Sequence, residues 1–588
     1  MTTKETLAGP TMQLARTIVQ LRPAQVGQRL RLRAQRTALE RGVPFADQWL
    51  LAGPSSAAAG GWPDCFEPLD ALTVGGSAGR QADAALRVGT VTLLGVPRPV
   101  AHAKADGHAD WSTANWDLAE VPLLWRYHLY YWDWAWVLAD SEECGRARAT
   151  FASIWRSWRA SVTPGRGAAW YPYPAALRAW SFCGLYRNLV RGSEIEAAFR
   201  AELAALAGFL RRNLETDVGG NHLIKNLKAL CGLAVFFFDE ALLRRTLTRL
   251  ARQLRIQVLP DGGHYERAPA YHCQVLGDLI DIAGLLAAAG RPAPAGLAAA
   301  IAAMRGWLGA VQVPGGDVPL LNDGFPVERG LLALLGAGPA PAGPLHLLQD
   351  TGLARITVGG WHVLADVGPA CPRELPAHAH ADTLGCVAYL NGTPLLVDTG
   401  TSGYAPGPAR DRERSTAAHN TAELDGTDST EVWGAFRAGR RARVHGLTAG
   451  QDAGTVTVEA AHDGYRSLPG RPVHRRKWTV QAAELRVDDE VTGHGPHQVT
   501  VRWHLAPGSA LRLVPGGAAV ACAAGELTVA VTAGAAGPGP VLTVTTAPVS
   551  TGFAATVPAP VLSATVTSEL PVAVSTVWRR TEPAKEPT

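Results

Sequence analysis

The sequence predicts a multidomain α and β protein, with a helical N-terminal domain followed by a C-terminal antiparallel β-sandwich. Three observations predict it. At 588 residues the chain is long enough for two or three separate cores. Up to about residue 345, blocks rich in Leu, Ala and Arg repeat apolar residues at three- and four-residue spacing, the period of a helix with one buried face. Beyond about residue 350, Val and Thr rise and short alternating runs replace that period, as in half-buried strands.

The helical blocks lie at residues 195–210, 242–258, 275–288 and 297–308, several of them parted by Pro and Gly. Their pairing suggests a ring or solenoid. Aromatic residues crowd 111–136 and 170–186, where most should pack helices and a few should line a groove able to stack sugar rings. The Gly/Pro-rich stretch 336–343 is the expected hinge. The alternating runs then fall at 354–358, 387–390, 454–460, 475–481, 484–490, 498–504, 526–532 and 541–545, with Gly, Pro and Asp at many of the turns. The expected division is therefore a helical domain at 1–345, a sheet domain at 346–580 and a disordered tail at 581–588.

Composition removes several function classes. The net charge of +4 is small for this length, which argues against nucleic acid as a partner. The apolar run 230–238 is too short to cross a membrane and is flanked by Lys228 and Asp239. Residues 1–20 lack a basic start followed by an apolar segment, so a cytoplasmic location is expected. The eight cysteines are scattered without a Cys-x-x-Cys pair, which fits reduced, buried thiols.

The chemistry concentrates in a few motifs. His378, His380 and Asp382 occupy alternate positions after Pro376, and in an extended strand they would share one face. Asp398 follows at an expected strand end, and His419 comes soon after. Imidazole and carboxylate are suitable zinc donors, so His380, Asp398 and His419 form a candidate metal triad. In the helical part, Asn221 and His222 stand at an expected helix start. Asn221 could serve there simply as a cap, but a cap does not need the imidazole beside it. Gly262 and Gly263 suit a tight turn, and Tyr265, Glu266, Arg267, Tyr271 and His272 follow as a dense set of proton donors and acceptors. Arg410, Arg412, Arg414, Arg437, Arg440 and Arg441 should mostly be solvated, with Arg414 and Arg437 the candidates for gripping carboxylate or sulfate.

These motifs, in this order, resemble the heparinase II/III family of polysaccharide lyases. The resemblance is carried by Trp125-Arg126-Tyr127, Tyr171-Pro172-Tyr173-Pro174, Gly220-Asn221-His222, Asp261-Gly262-Gly263 with Glu266, Tyr271-His272, the His378–Asp382 run, Leu396-Val397-Asp398, His419-Asn420 and Asp425-Gly426. It implies an incomplete (α/α) toroid followed by a β-sandwich, with a cleft between them, and β-elimination of an acidic, uronate-containing polysaccharide or oligosaccharide. By motif, Tyr271 resembles the catalytic tyrosine and His378 the histidine working opposite it. Asn221 and His222 resemble the holders of the uronate carboxylate, with Tyr265, Glu266, Arg267, Arg414 and Arg437 as expected substrate contacts. His380, Asp398 and His419 resemble the ligands of a mainly structural zinc. Lys225 departs from members that carry a glutamate three residues after the histidine, which bears on substrate preference. Two other readings are a toroid-type glycoside hydrolase using Glu266 and Asp323, and a non-catalytic carbohydrate-binding protein of a polysaccharide biosynthesis system.

Overall fold

The computed structural model describes residues 10–55, 60–73, 76–534 and 539–581. All but the first residue of the expected tail at 581–588 lies outside them. The N-terminal part is built around helix Gly220–Phe236, which is buried on nearly every side. Its run from Leu227 to Phe236 holds a single charge, so no face is left for water. It packs against helices Pro172–Leu185, Glu240–Gln257 and Pro269–Ala288. The one charge, Lys228, is answered by Asp278 at 3.0 Å and Asp281 at 2.6 Å. Helix Glu240–Gln257 lies further out. Asp239 caps it by accepting from the Leu242 N–H at 2.9 Å, and its arginines face solvent.

The aromatic segments pack as expected of core. Trp132 stacks on Trp116 with centroids 5.7 Å apart and meets Trp158 edge-on at 5.8 Å. Buried Glu202 accepts from the indole N–H groups of Trp155 and Trp158, each at 3.0 Å. One departure from the all-helical expectation is a pair of short hairpins, Thr90–Leu93 with Val96–Pro99 and His102–Ala103 with Ala109–Asp110. Among the described residues no helix is long and apolar enough to cross a membrane, and all eight cysteines are free.

The C-terminal part is antiparallel throughout. Five strands form a meander from Leu345–Leu348 to Thr393–Leu396. Eight form a second sheet, in which Val572–Arg580 lies between Glu484–Thr492 and Gly525–Gly534, so the end of the chain closes the middle of the sheet. Four more pair around Pro496–His504 and Ala555–Glu569. Alternation is clean in Val473–Val480: His474, Arg476, Trp478 and Val480 are buried while Arg475 and Lys477 are exposed. Side chains from all three sheets, including Trp361, Trp478, Trp503 and Trp578, share one core.

Two excursions from these sheets position the candidate site. Ala365 pairs directly with Cys386, so residues 367–385 are thrown out between two adjacent strands. Residues 397–421 leave the five-stranded sheet after Thr393–Leu396 and enter the four-stranded sheet at Ala422–Leu424. Buried Arg476 anchors both, donating to the Leu384 carbonyl at 2.8 Å and to the Asn420 carbonyl, while its fork grips Asp489 at 2.7 and 3.0 Å. Asp489→Ala should leave this guanidinium buried and unpaired, costing about 3–5 kcal/mol in chemical denaturation. The double variant Arg476→Met with Asp489→Leu should recover part of that loss, and equal stability of Asp489→Ala and the unsubstituted protein would refute the anchoring role.

Candidate active site

Asp323 is the centre of the site. It lies between helices Leu297–Val311 and Arg329–Leu335 and is fully buried. Its Oδ2 accepts from His378 Nδ1 and its Oδ1 from His380 Nε2, both at 2.9 Å. Arg410 closes on both oxygens, and the Thr401 hydroxyl donates at 3.2 Å. Burial opposes the charge, but Arg410 and the two histidines outweigh it and hold this carboxyl well below the usual carboxylate range. Neighbouring Asn322 accepts from the His380 backbone N–H at 3.1 Å, so the histidine loop is registered by side chain and main chain together.

A second carboxylate meets His378 from the other side. His378 Nε2 lies 3.2 Å from Glu266 Oε2. Glu266 also accepts from the Asn221 backbone N–H at 2.7 Å and from Asn221 Nδ2 at 2.9 Å. It therefore sits at the start of helix Gly220–Phe236, where the helix dipole favours an anion. Burial works against its charge, but His378 and Asn221 bring it down to about 2. This approach needs Gly220, at φ +55: a Cβ there would fall 1.7 Å from Glu266 Oε1. For His378, burial pulls downward, but the hydrogen bonds to Asp323 and Glu266 and their charges raise it to about 9. At neutral pH it is an imidazolium between two carboxylates.

Tyr271 lies in the first turn of helix Pro269–Ala288 and stacks on this cation, with ring centroids 3.9 Å apart and planes at 29°. Its hydroxyl is 2.8 Å from that of Tyr404, which comes from the 397–421 excursion. Burial, Tyr404 and Asp323 push the Tyr271 phenol well above its ordinary range. His222 is the more open partner, with its side chain 35% exposed. Its Nδ1 is held by Glu215 at 3.1 Å and its ring lies 4.3 Å from that of Tyr173, while its Nε2 has no hydrogen bond among the described residues.

Several expectations need correction. His378, His380, Asp398 and His419 all lie on loops, not strands. His378 and His380 do converge, because Asp323 draws both in. Asp382 does not join them; it faces Asp398 and His419, and its Oδ1 has no hydrogen bond among the described residues. Asn221 is not the helix cap; the Tyr265 hydroxyl accepts from Gly220 N–H at 2.9 Å and Glu266 accepts from the next N–H. Tyr265 is thus spent on the helix start. Arg267 donates to the Thr351 carbonyl, and His272 is a core residue stacked on Trp307. Arg414 is 1% exposed and gives its guanidinium to the carbonyls of Ala379, Gly434 and Arg437, leaving nothing for a substrate. Lys225 is paired with Asp278 at 2.7 Å. Arg437 remains exposed, 4.6 Å from the Trp433 ring centre. Tyr404 and Glu215 had no motif to mark them, and Arg410, read as solvated, is the buried partner of Asp323.

The expected metal ligands lie together. His419 Nδ1 donates to Asp398 Oδ2 at 2.8 Å, and the His380 and His419 rings are 5.2 Å apart. His380 Nδ1 and His419 Nε2 are buried without a hydrogen bond among the described residues, which fits a cation between them. As arranged, however, no three donors among the described residues converge into a metal cage. Asp398 faces the His419 N–H instead, and despite burial it raises that imidazole to about 9.

The comparisons with known proteins concern the family and the fold. The family model for the heparinase II/III N-terminus matches residues 72–334, and that for the heparinase II/III-like C-terminal part matches 340–565. No curated protein sequence matches the chain. Among solved structures, heparinase III superposes with a TM-score of 0.73 at 16% identity, covering 94% of this chain and 92% of that one. A heparan sulfate lyase from Pedobacter heparinus gives 0.59 at 15% identity, covering 89% and 87%. The Streptomyces coelicolor chondroitin AC lyase gives 0.51 at 13%, covering 93% and 83%. At such identities the likeness is one of fold.

The His378 sandwich sets a pH dependence. An unfolded imidazole titrates near 6.5 and the folded one at about 9. Its stabilisation is therefore whole below pH 6.5 and is lost as pH rises through 9. The melting temperature should fall from pH 7 to pH 10, and His378→Gln should flatten that fall. Identical pH profiles for the two proteins would contradict the imidazolium assignment.

Proposed function

The chain belongs to the heparinase II/III family, and we propose that it is a polysaccharide lyase cleaving a uronate-containing acidic glycan by β-elimination. We read its helical part as an incomplete (α/α) toroid and its sheets as the β-sandwich that faces it. The observation that carries the reading is Tyr271 from the helical part lying ring-on-ring with His378 from the sheet part, with that histidine pinned between Glu266 and Asp323.

Elimination removes the proton at C5, beside the uronate carboxylate. The C5 electron pair becomes the C4=C5 bond, the C4–O bond breaks, and the departing oxygen takes a proton. Asn221 and His222 are suited to the carboxylate, where they would stabilise enolate-like charge. His378 has both nitrogens engaged and no free lone pair, so it serves as a fixed cation rather than as the base. Tyr271 keeps its proton at rest, the state needed to protonate the leaving oxygen, and Tyr404 connects that proton to a second hydroxyl. When the C5 proton lies on the same face as the leaving oxygen, Tyr271 would first release its own proton to solvent, and the tyrosinate would then take the C5 proton and pass it to the leaving oxygen while His222 donates to the carboxylate; when it lies opposite, the Tyr271 phenol protonates the leaving oxygen, His222 Nε2 accepts the C5 proton and Asn221 alone is left for the carboxylate. Hydrolysis by Glu266 and Asp323 is poorly supported, because both are held ionised and a glycosidase acid needs a raised pKa.

The test is a panel of uronate glycans followed at the ultraviolet absorbance of the unsaturated product, each beside its carboxyl-reduced counterpart. Only the carboxylate forms should react, and Tyr271→Phe should lose on the order of a hundredfold or more in turnover. Equal turnover of a glycan and its reduced form would refute elimination. Binding of every glycan without product would instead favour a carbohydrate-binding role.

We also propose a mainly structural zinc held by His380, Asp398 and His419, which would tie together the two excursions that carry them. His419 would have to release its proton for this, so uptake should strengthen as pH rises. Protein purified without a histidine tag should contain about one zinc per chain by elemental analysis. Metal-free protein whose melting temperature ignores added zinc would overturn the site.

A further inference from the structure

Helix Pro23–Glu40 places Arg29, Arg33 and Arg36 at i, i+4 and i+7, on one face. That face looks into a cavity of about 420 Å³, within the size range of small-ligand sites of about 300–1,000 Å³. The opposite wall includes Tyr171, Glu215 and Asp217. Both carboxylates are already committed. Glu215 holds His222 at 3.1 Å and Asn226 at 3.0 Å, and Asp217 takes Arg29 at 3.3 Å. Arg33 forms no ion pair among the described residues, and Arg36 meets only the Tyr171 ring, with 4.0 Å to its centre. Arg33 and Arg36 therefore face the cavity outside any ion pair among the described residues, and the three arginines outnumber the two carboxylates that line it. Arg36 lies over an aromatic face, which limits where its donor fork can point toward an anionic oxygen group. Because Glu215 both lines the cavity and bonds His222, the cavity begins one side chain from the residue suited to the uronate carboxylate.

From this juxtaposition we propose that the cavity is a subsite for one further acidic sugar of the same glycan, beyond the pair that flanks the cleaved bond, and that Arg33 and Arg36 read its anionic group. The subsite rests on the lyase reading for the identity of its ligand. It also makes α-helical residues near the start of the chain, outside both matched family regions, part of substrate selection.

The probes are tetrasaccharides and octasaccharides of heparan sulfate, carrying sulfate and carboxylate, and of polyuronate, carrying carboxylate alone. Calorimetric affinity and formation of the unsaturated product are measured together for the unsubstituted protein and for Arg33→Gln/Arg36→Gln. The octasaccharide should bind the unsubstituted protein more tightly than the tetrasaccharide, and the double variant should reduce that advantage about fivefold, the order expected of exposed ion pairs. The advantage should also shrink with added salt. A loss seen with both glycans assigns the subsite to carboxylate, and a loss confined to heparan sulfate assigns it to sulfate. An unchanged advantage in the double variant overturns the subsite, even where product forms. Binding that depends on the two arginines but yields no product overturns the lyase reading and leaves the subsite standing. Failure of every probe to bind the unsubstituted protein overturns both.

Discussion

The structure around the candidate site depends on one buried carboxylate. Asp323 has no access to water, so its charge must be met by protein groups or not exist. Four side chains meet it: His378, His380, Arg410 and Thr401. Asp323 belongs to the stretch between helices Leu297–Val311 and Arg329–Leu335, while all four partners belong to the two excursions from the sheets. The need to satisfy one ion therefore draws the two excursions onto the helical part. Without it, the alanine-rich run at 376–382 has little in its own sequence to choose one conformation.

The charges then form a row: Glu266, His378, Asp323, Arg410, alternating in sign. Each of the two hydrogen-bonded tyrosines faces a cation of that row. Tyr271 lies on His378, and the Tyr404 ring centre is 5.2 Å from the Arg410 guanidinium. Positive charge favours phenolate and burial favours phenol, and here burial prevails on both rings. The proton inventory at rest is therefore definite: two phenols, one imidazolium and two carboxylates. At rest the protons of the two tyrosines are localised on hydroxyls.

The elements were legible where burial alternates along the chain. The strand expected at 475–481 appears as Val473–Val480, and the helix expected at 297–308 as Leu297–Val311. In both, the apolar period is itself the physical cause of the element. The motif residues Asn221, Glu266, Tyr271 and His378 were also visible, and the fold brings them together. Their partners were not. Asp323 is 55 residues from His378 and 87 from Arg410, and no local pattern announces a pairing at that range. An arginine-rich loop reads as solvated unless the carboxylate opposite it is known, as with Arg410, and backbone carbonyls such as those that take Arg414 leave no mark in a sequence. Tyr404 sits among Gly, Ser, Ala and Pro and carries no periodicity at all. The expected strand at 376–382 failed because alternation of histidine with alanine imitates a half-buried strand, while the actual constraint is a single distant ion.

The start of helix Gly220–Phe236 has a consequence of its own. That helix is the innermost of its domain, yet its first amide groups are satisfied by Tyr265 and Glu266, which arrive some forty-five residues later. The central scaffold cannot complete its own first turn. Maturation of the domain and assembly of the candidate site are thus a single event, and a molecule in which Glu266 is misplaced is defective as a fold before it is defective as a catalyst. Placement of Glu266 therefore matters to the helix start and to His378 at once.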